Sequence, residues 1–343
     1  MCPEPRPASV AVVIVNWNSG GHLDRALSAL SRQTVRPARV IVVDNASSDG
    51  SADGLEGRHP GVEVIHAGAN LGFAAGNNLG VRAADGCEWV ALLNPDAFPE
   101  PDWLERMLAA AEAHPGHALL GARLLLDDRP EVLDGTGDAY HVSGLAWRRH
   151  HGRPVAEAPA GAEEVFGPCA AAALYRRADF LAVGGFEERY FCYLEDVDLA
   201  LRLRLAGHRA LAVPDAVVRH VGSALTGRES DFTVYHSHRN IVWTYVTGMP
   251  GRLVWLYLPQ HLLMNLLTVV WFATRGQARV ILRAKRDALL GLPWAIARRR
   301  RVQRARRVEP EALRRQMARG LAGYLTAAQR ARRSRLFPRL GGA

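Results

Sequence analysis

An α/β fold, with a mostly parallel sheet covered by helices on both faces, is what the first part of this sequence predicts. Two observations carry the expectation. Short valine-rich runs alternate with stretches of helical periodicity, the pattern of βαβ units. Successive runs also end in polar clusters, at Asn16/Asn18, Asp44/Asn45 and Asn94/Asp96. Open α/β sheets bind ligands just there, beyond the carboxyl ends of their strands. Asn and Asp favour turns in any protein, so one such cluster says little; three on one sheet edge say more.

Val10–Val15 is a continuous apolar run and reads as a buried parallel strand. Gly20-Gly21 then opens a helix with apolar residues at Leu23, Ala26, Leu27 and Leu30. Val40–Val43 is the second strand and Val62–Ile65 a short third. A loop at Asn70-Leu71-Gly72 precedes a helix from about Ala74 to Ala84. Trp89–Leu93 is the fourth strand, and Pro101 marks the start of another helix. Residues 127–165 read as loops and short strands, and order resumes near Val165.

The chain has 343 residues, 48% of them hydrophobic, enough for one large domain or a domain with an appendage. Its net charge of +9 is unevenly spread. Residues 275–343 hold 20 Lys or Arg against three acids, Asp287, Glu309 and Glu311. An acidic body joined to a basic tail predicts an anionic partner for the tail. The four cysteines, at 2, 87, 169 and 192, have no zinc-site spacing and imply free thiols in a reducing compartment. Met1–Pro7 lacks the apolar core of a signal peptide, so the body is expected in the cytosol.

The densest signal is Gly184-Gly185-Phe186-Glu187-Glu188-Arg189-Tyr190-Phe191-Cys192-Tyr193-Leu194-Glu195-Asp196-Val197-Asp198-Leu199. Three carboxylates crowd the start of an amphipathic helix through Leu205. Acids suit a helix N-terminus, but three neighbours repel one another. Helical spacing puts Glu195 and Asp198 on one face and Asp196 on another, so the three are expected to have separate tasks.

With these segments in view, the chain resembles the family-2 inverting glycosyltransferases of GT-A fold, especially their bacterial rhamnosyltransferase-like branch. The matching segments are Val13–Asn18, Val42–Gly50, Asn70–Asn78, Leu92–Asp96, Glu195–Leu199 and Val218–Ser223, in the family's order across residues 9–245. The resemblance implies a GT-A catalytic domain over 9–245; the remainder, 246–343, is expected from its own composition to be a helical, basic, membrane-associating region. The resemblance also implies that the loop carrying Asn16 and Asn18, together with Asp44 and Asn45, holds the nucleoside. Asn70, Gly72 and Asn77 then line the donor pocket, and Asn94 and Asp96 stand at the family's DXD metal motif. Asn94 replaces the first acid with a neutral oxygen, so affinity for a divalent cation, Mn²⁺ or Mg²⁺, leans on Asp96, His220 and the donor's diphosphate. Asp196 matches the catalytic base, with Glu195 and Asp198 as second candidates for orienting groups or the acceptor. The branch favours dTDP-rhamnose as donor, with a UDP-hexose or GDP-mannose next.

Between Asn240 and Gly276 the only charges are Arg252 and Arg275. The uncharged stretch 253–274 has the length of a membrane span, but Pro259, Gln260, His261 and Asn265 interrupt it. Trp255, Tyr257 and Trp271 suit an interface. The expectation is a helix or helical hairpin lying on the cytoplasmic face of the membrane, with a single crossing or a buried helix as alternatives. The arginines at 298–301, 304, 306 and 307 are expected to meet anionic lipid rather than nucleic acid. The acceptor is then a lipid-linked or cell-envelope glycan. Other nucleotide enzymes fit less well: no GxGxxG follows the first strand and there is no P-loop. A catalytically inactive sugar-binding or membrane scaffold protein is the remaining alternative, supported by Asn94 and opposed by the acidic cluster.

Overall fold

The computed structural model describes residues 9–222 and 229–320. Cys2, Ser223 and the end of the basic tail fall outside them. The chain first builds β1 (Val10–Asn16), α1 (His22–Leu30), β2 (Arg39–Asp44), α2 (Leu55–Arg58), β3 (Val62–His66), α3 (Gly72–Ala83), β4 (Trp89–Leu93), β5 (Ala97–Pro99) and α4 (Trp103–Ala113). It continues through β6 (His117–Leu126), β7 (Arg129–Gly135), β8 (Asp138–Tyr140), β9 (Ala146–Arg148), β10 (Glu163–Val165), β11 (Ala172–Arg176), α5 (Arg177–Ala182), α6 (Glu195–Leu205) and β12 (Arg209–His220). Helices α7 (Asp231–Gly248), α8 (Leu253–Leu256), α9 (Leu258–Ala273), α10 (Ala278–Leu290), α11 (Leu292–Arg304) and α12 (Pro310–Gln316) follow.

The main sheet runs β10-β12-β6-β11-β4-β1-β2-β3. Parallel ladders join β4, β1, β2 and β3, and β12 pairs parallel with β6. Antiparallel β11 lies between β4 and β6 and links the two blocks. Strand alternation explains the layers. Val10, Val12 and Ile14 of β1 enter one core cluster, and Ala11, Val13 and Val15 enter the cluster on the other face. Helix α3 lies directly on β1. A Cβ at Gly80 would stand 2.3 Å from the Val13 side chain, so glycine permits that approach. The expected elements are present, with α3 beginning at Gly72 rather than Ala74 and the first turn of α4 opening two residues after Pro101.

The C-terminal helices cover the catalytic layer. Val197, Leu201 and Leu205 of α6 share a core cluster with Tyr245, Met249, Leu253, Val254 and Leu313. The expected boundary at 245 falls inside α7, which is continuous to Gly248. The apolar stretch 253–274 is not one helix: α8 and α9 meet at Tyr257, and Pro259 occupies the first turn of α9. Among the described residues no helix is long and apolar enough to cross a membrane, so the single-crossing alternative has no element to carry it. The arginine run also divides. Arg298, expected at a lipid surface, is instead buried against Asp198, whereas Arg300, Arg301, Arg304 and Arg307 are exposed.

Candidate active site

A cleft of about 820 Å³ opens where the strand ends, the β8–β9 hairpin and the loop before α6 meet. Asn45, Asn70, Gly72, Asn94, Asp96, Glu195, Asp196 and His220, separated by up to most of the catalytic sequence, all line it.

One corner joins the ends of β4 and β12. Antiparallel pairing sets His220 opposite Ala97, one residue beyond Asp96. His220 Nε2 lies 3.3 Å from Asp96 Oδ1 and 3.4 Å from Asn94 Nδ2. The other ring nitrogen, Nδ1, is 2.8 Å from Asp134 Oδ2. Asp134 is fully buried and also bonded to Arg148. A carboxylate on the far nitrogen fixes the ring and aims Nε2 at the cleft, the arrangement that supports metal-ligating histidines. Burial opposes the charge on His220, but Asp134 and Asp96 outweigh it and raise its pKa to about 9. Burial likewise opposes ionisation of Asp96, and the bond to His220 holds its carboxyl below the usual range. The buried Asn94 Oδ1 has no hydrogen-bond partner among the described residues. An orphaned acceptor beside a carboxylate and an oriented imidazole is a donor set suited to a divalent cation completed by ligand oxygens. Among the described residues no group of three His, Cys, Asp or Glu side chains forms a cage by itself.

The acidic motif forms another part of the lining. Phe191, Tyr193 and Leu194 have φ of 65°, 69° and 67°, a left-handed backbone that costs free energy in residues with a Cβ. Asn240 of α7 holds this loop by donating to the carbonyls of Tyr190, Cys192 and Tyr193. The loop delivers Glu195 and Asp196 to the cleft at the first turn of α6. Asp196 accepts from the backbone N–H groups of Ala170, at 3.2 Å, and Val197, at 2.8 Å. Burial raises its pKa, and those N–H groups and Arg148 limit the rise. Glu195 is buried with Oε2 unpartnered among the described residues, and burial followed by repulsion from Asp196 pushes its pKa well up. Both influences favour the neutral form of a carboxyl that faces the cleft. Asp198 does not line the cleft. Arg298 meets it twice, at 2.7 and 2.8 Å, and Arg202 adds a bond of 2.8 Å. Burial opposes ionisation, but the two arginines hold Asp198 below the usual carboxylate range. Asp198, expected to bind the acceptor or to orient neighbouring groups, is placed in an ion pair with Arg298 and Arg202.

On the donor side, Gly72 has φ of +80°, and a Cβ there would lie 2.5 Å from the Phe191 ring. Only glycine lets α3 begin against the acidic loop. Asn45 and Asn70 line the cleft, with Trp17 and Phe73 beside them. Asn16, Asn18, Asp44 and Asn77 stand behind that lining. Asn16 Nδ2 donates to Asp44, Ser47 and Ser51, and Asn18 accepts from Ser48 N–H. Asn77 bonds the Phe73 carbonyl one turn back in α3. These groups shape the loops behind the cleft from within. Sequence reasoning missed Asp134, Asp138 and Arg148, which line the cleft from the region it left as irregular. Asp138 is buried near Asp196, and burial with that repulsion raises its pKa to about 8.

A cleft at the carboxyl ends of such a sheet, with an Asp–His corner facing a buried carboxylate, defines the class: a GT-A glycosyltransferase. Solved structures support that fold. The chain superposes on GalNAc-T7, crystallised with UDP, GalNAc and Mn²⁺, at a TM-score of 0.59 and 15% identity, covering 71% of this chain and 48% of that one. Staphylococcus aureus TarS gives 0.51 at 17% identity, covering 74% and 43%. The chain thus spans about half the length of these structures. Residues 11–184 match the model of glycosyl transferase family 2. The sequence is 35% identical over 261 residues to an N-acetylglucosaminyl-diphospho-decaprenol L-rhamnosyltransferase of Mycobacterium tuberculosis, covering 68% of this chain and 82% of that protein. A pre-mycofactocin glycosyltransferase of the same organism is 34% identical over 224 residues, 63% of this chain and 44% of that protein. The chain belongs to glycosyl transferase family 2 and is a glycosyltransferase.

Proposed function

We propose that this glycosyltransferase moves rhamnose from dTDP-rhamnose, with inversion, onto a hydroxyl of a lipid-linked glycan at the cytoplasmic face of a membrane. The observation that carries the reading is the convergence of Asp196 and the Asp96–His220 corner on one cleft. The nucleoside sits against Trp17, Asn45 and the Asn70–Gly72 turn, with Asp44 holding that loop from behind through Asn16. Asp96 and His220, with the Asn94 carbonyl oxygen, hold a divalent cation, Mn²⁺ or Mg²⁺. When bound, that cation neutralises charge on the departing diphosphate. Asp196 takes the proton of the acceptor hydroxyl as its oxygen attacks the anomeric carbon from the face opposite the diphosphate. A carboxylate whose pKa is raised by burial suits that task better than a solvated one. Glu195, neutral, donates a hydrogen bond to a neighbouring hydroxyl.

The acceptor class follows from the named substrate of the mycobacterial relative and from the helical layer. Trp255, Leu262, Leu266, Leu267 and Leu290 are all more than half exposed, an apolar surface larger than solution alone favours. Arginines of α11 are exposed as well. Together these are the two signals of stable peripheral attachment to anionic membrane.

The test is turnover of dTDP-rhamnose, UDP-hexoses and GDP-mannose with Mn²⁺, by wild type and by Asp196→Asn. The expected result is nucleoside diphosphate release greatest with dTDP-rhamnose and lost in the variant. Preference for another sugar nucleotide corrects the donor. No turnover of any donor by wild type, with binding intact, leaves the inactive scaffold reading.

A further inference from the structure

Helix α9 runs along the edge of the cleft. Near its start, His261 Nδ1 bonds the Ser143 carbonyl at 2.7 Å. Ser143 belongs to the turn between β8 and β9, whose Ala146 and Trp147 line the cleft. Just past its other end, Gln277 donates to the Glu229 carbonyl and to Asp231 Oδ1, both at 2.9 Å. These flank Ser230 and Phe232, which line the cleft from the start of α7. Ring contacts fix the direction. His261 stacks on Tyr245 at 3.9 Å, and Phe272 meets His238 at 4.8 Å. So α9 is antiparallel to α7 and returns the chain to the cleft mouth over about 24 Å, at about 1.5 Å per residue.

Along that path one face of α9 is apolar and open. Leu262, Leu263, Leu266, Leu267, Val270 and Trp271 are exposed, at the four-residue spacing of a single stripe. His261 and Met264 face inward. At the cleft end the stripe closes with Trp271 under the Arg275 guanidinium, 3.8 Å from the ring centroid. An indole capped by a cation marks the headgroup level of a bilayer, where one side is apolar and the other wet. The stripe therefore ends in an amphipathic pair close to residues that line the cleft.

We propose that α9 is the rim over which the acceptor enters: its long hydrocarbon chain stays in the bilayer against the α9 stripe, and its polar head passes Trp271 and Phe232 into the cleft. This rests on the membrane-acceptor reading above and adds an orientation to it. The cleft mouth meets the membrane at the α9–α7 end, and the far end of the sheet points away.

The experiment uses the full chain and vesicles of equal parts phosphatidylglycerol and phosphatidylcholine. An environment-sensitive fluorescent amino acid replaces, in turn, Leu267 on the stripe, Glu229 at the rim and Glu112 at the end of α4, remote from the cleft. Lipids brominated at different depths are the quenchers. The expected result is loss of most Leu267 emission with deep bromines, loss of most Glu229 emission only with shallow bromines, and full emission at Glu112. In parallel, a diazirine-bearing long-chain prenyl phosphate in the same vesicles should label peptides from 258–273 several-fold above the rest of the chain. Sedimentation with vesicles but no quenching at Leu267, or prenyl labelling away from α9, overturns the orientation and leaves the catalytic and membrane readings standing. Absence from the vesicle pellet overturns the membrane reading itself. Donor turnover, measured separately, reports on the catalytic reading alone.

Discussion

The Asp196 carboxylate is held by two backbone N–H groups while burial makes its charge costly. Asp196→Asn preserves size and, because its amide nitrogen cannot accept, only one of the two N–H contacts; donor binding should still be near normal by calorimetry. Transfer should fall at least about a hundredfold, the scale of a general base. Near-normal turnover would move the role to Glu195. At the metal corner, Asp134 acts through His220, so Asp134→Asn should raise the Mn²⁺ needed for half-maximal activity about 10–100-fold. Full activity of the EDTA-treated wild type would overturn the metal assignment. Asp138 makes a separate prediction. Its pKa rises from 3.8 unfolded to about 8 folded, so between those values the unfolded state binds fewer protons. Its contribution to stability is present below about pH 4 and is lost as pH rises towards 8. Asp138→Asn should therefore gain stability relative to wild type as pH increases from 5 to about 8, and melting curves across that range should diverge. Parallel curves would mean that Asp138 stays charged.

At the level of elements, α6 explains why the sequence read only part of the acidic motif. Spacing groups Glu195 with Asp198 and sets Asp196 apart, whereas the structure brings Glu195 and Asp196 to the cleft and turns Asp198 beneath the first turn. Nor does spacing reveal that an arginine a hundred residues later lies beneath that turn. Arg298 of α11 reaches Asp198, Glu187 and Thr247 at once. Removing one member of such a buried pair leaves an uncompensated charge and costs about 3–5 kcal/mol. Asp198→Asn and Arg298→Gln should each lower the unfolding midpoint by several degrees. The double variant should lose less than their sum, with a coupling of about 1–3 kcal/mol. Additive losses would show that the two helices are held by apolar packing alone.

For the whole molecule, the helical layer is both a cover for α6 and an exposed apolar surface. The full chain should sediment with anionic vesicles, and salt should weaken binding only in part, because ions screen the arginines and not the leucines. Leu263→Glu combined with Leu267→Glu should reduce the bound fraction at least about tenfold, since burying each leucine is worth about 1.5–3 kcal/mol. The melting temperature should hold, because both side chains are exposed. A chain that stays in the supernatant at low salt would make this surface a protein-binding face.

The sequence by itself determined the alternation of strands and helices, the polar clusters at the strand ends, and the places of Asp96, Asp196 and His220. Those signals are local: periodicity sets each element, and motif order places each acid or histidine at an element's end. Only the tertiary structure decided which polar groups face the cleft and which support it from behind. Asn77 and Asp44 carry the same side-chain chemistry as Asn70 and Asp96, but helix packing and neighbouring hydroxyls turn them inward. Asp134 was illegible because β7 gives no periodic signal, and its partners His220 and Arg148 come from other strands. The division of the arginine run was illegible for the same reason. Whether a guanidinium meets lipid or a buried carboxylate depends on which face of α11 packs against α6, a choice fixed by contacts far apart in the chain.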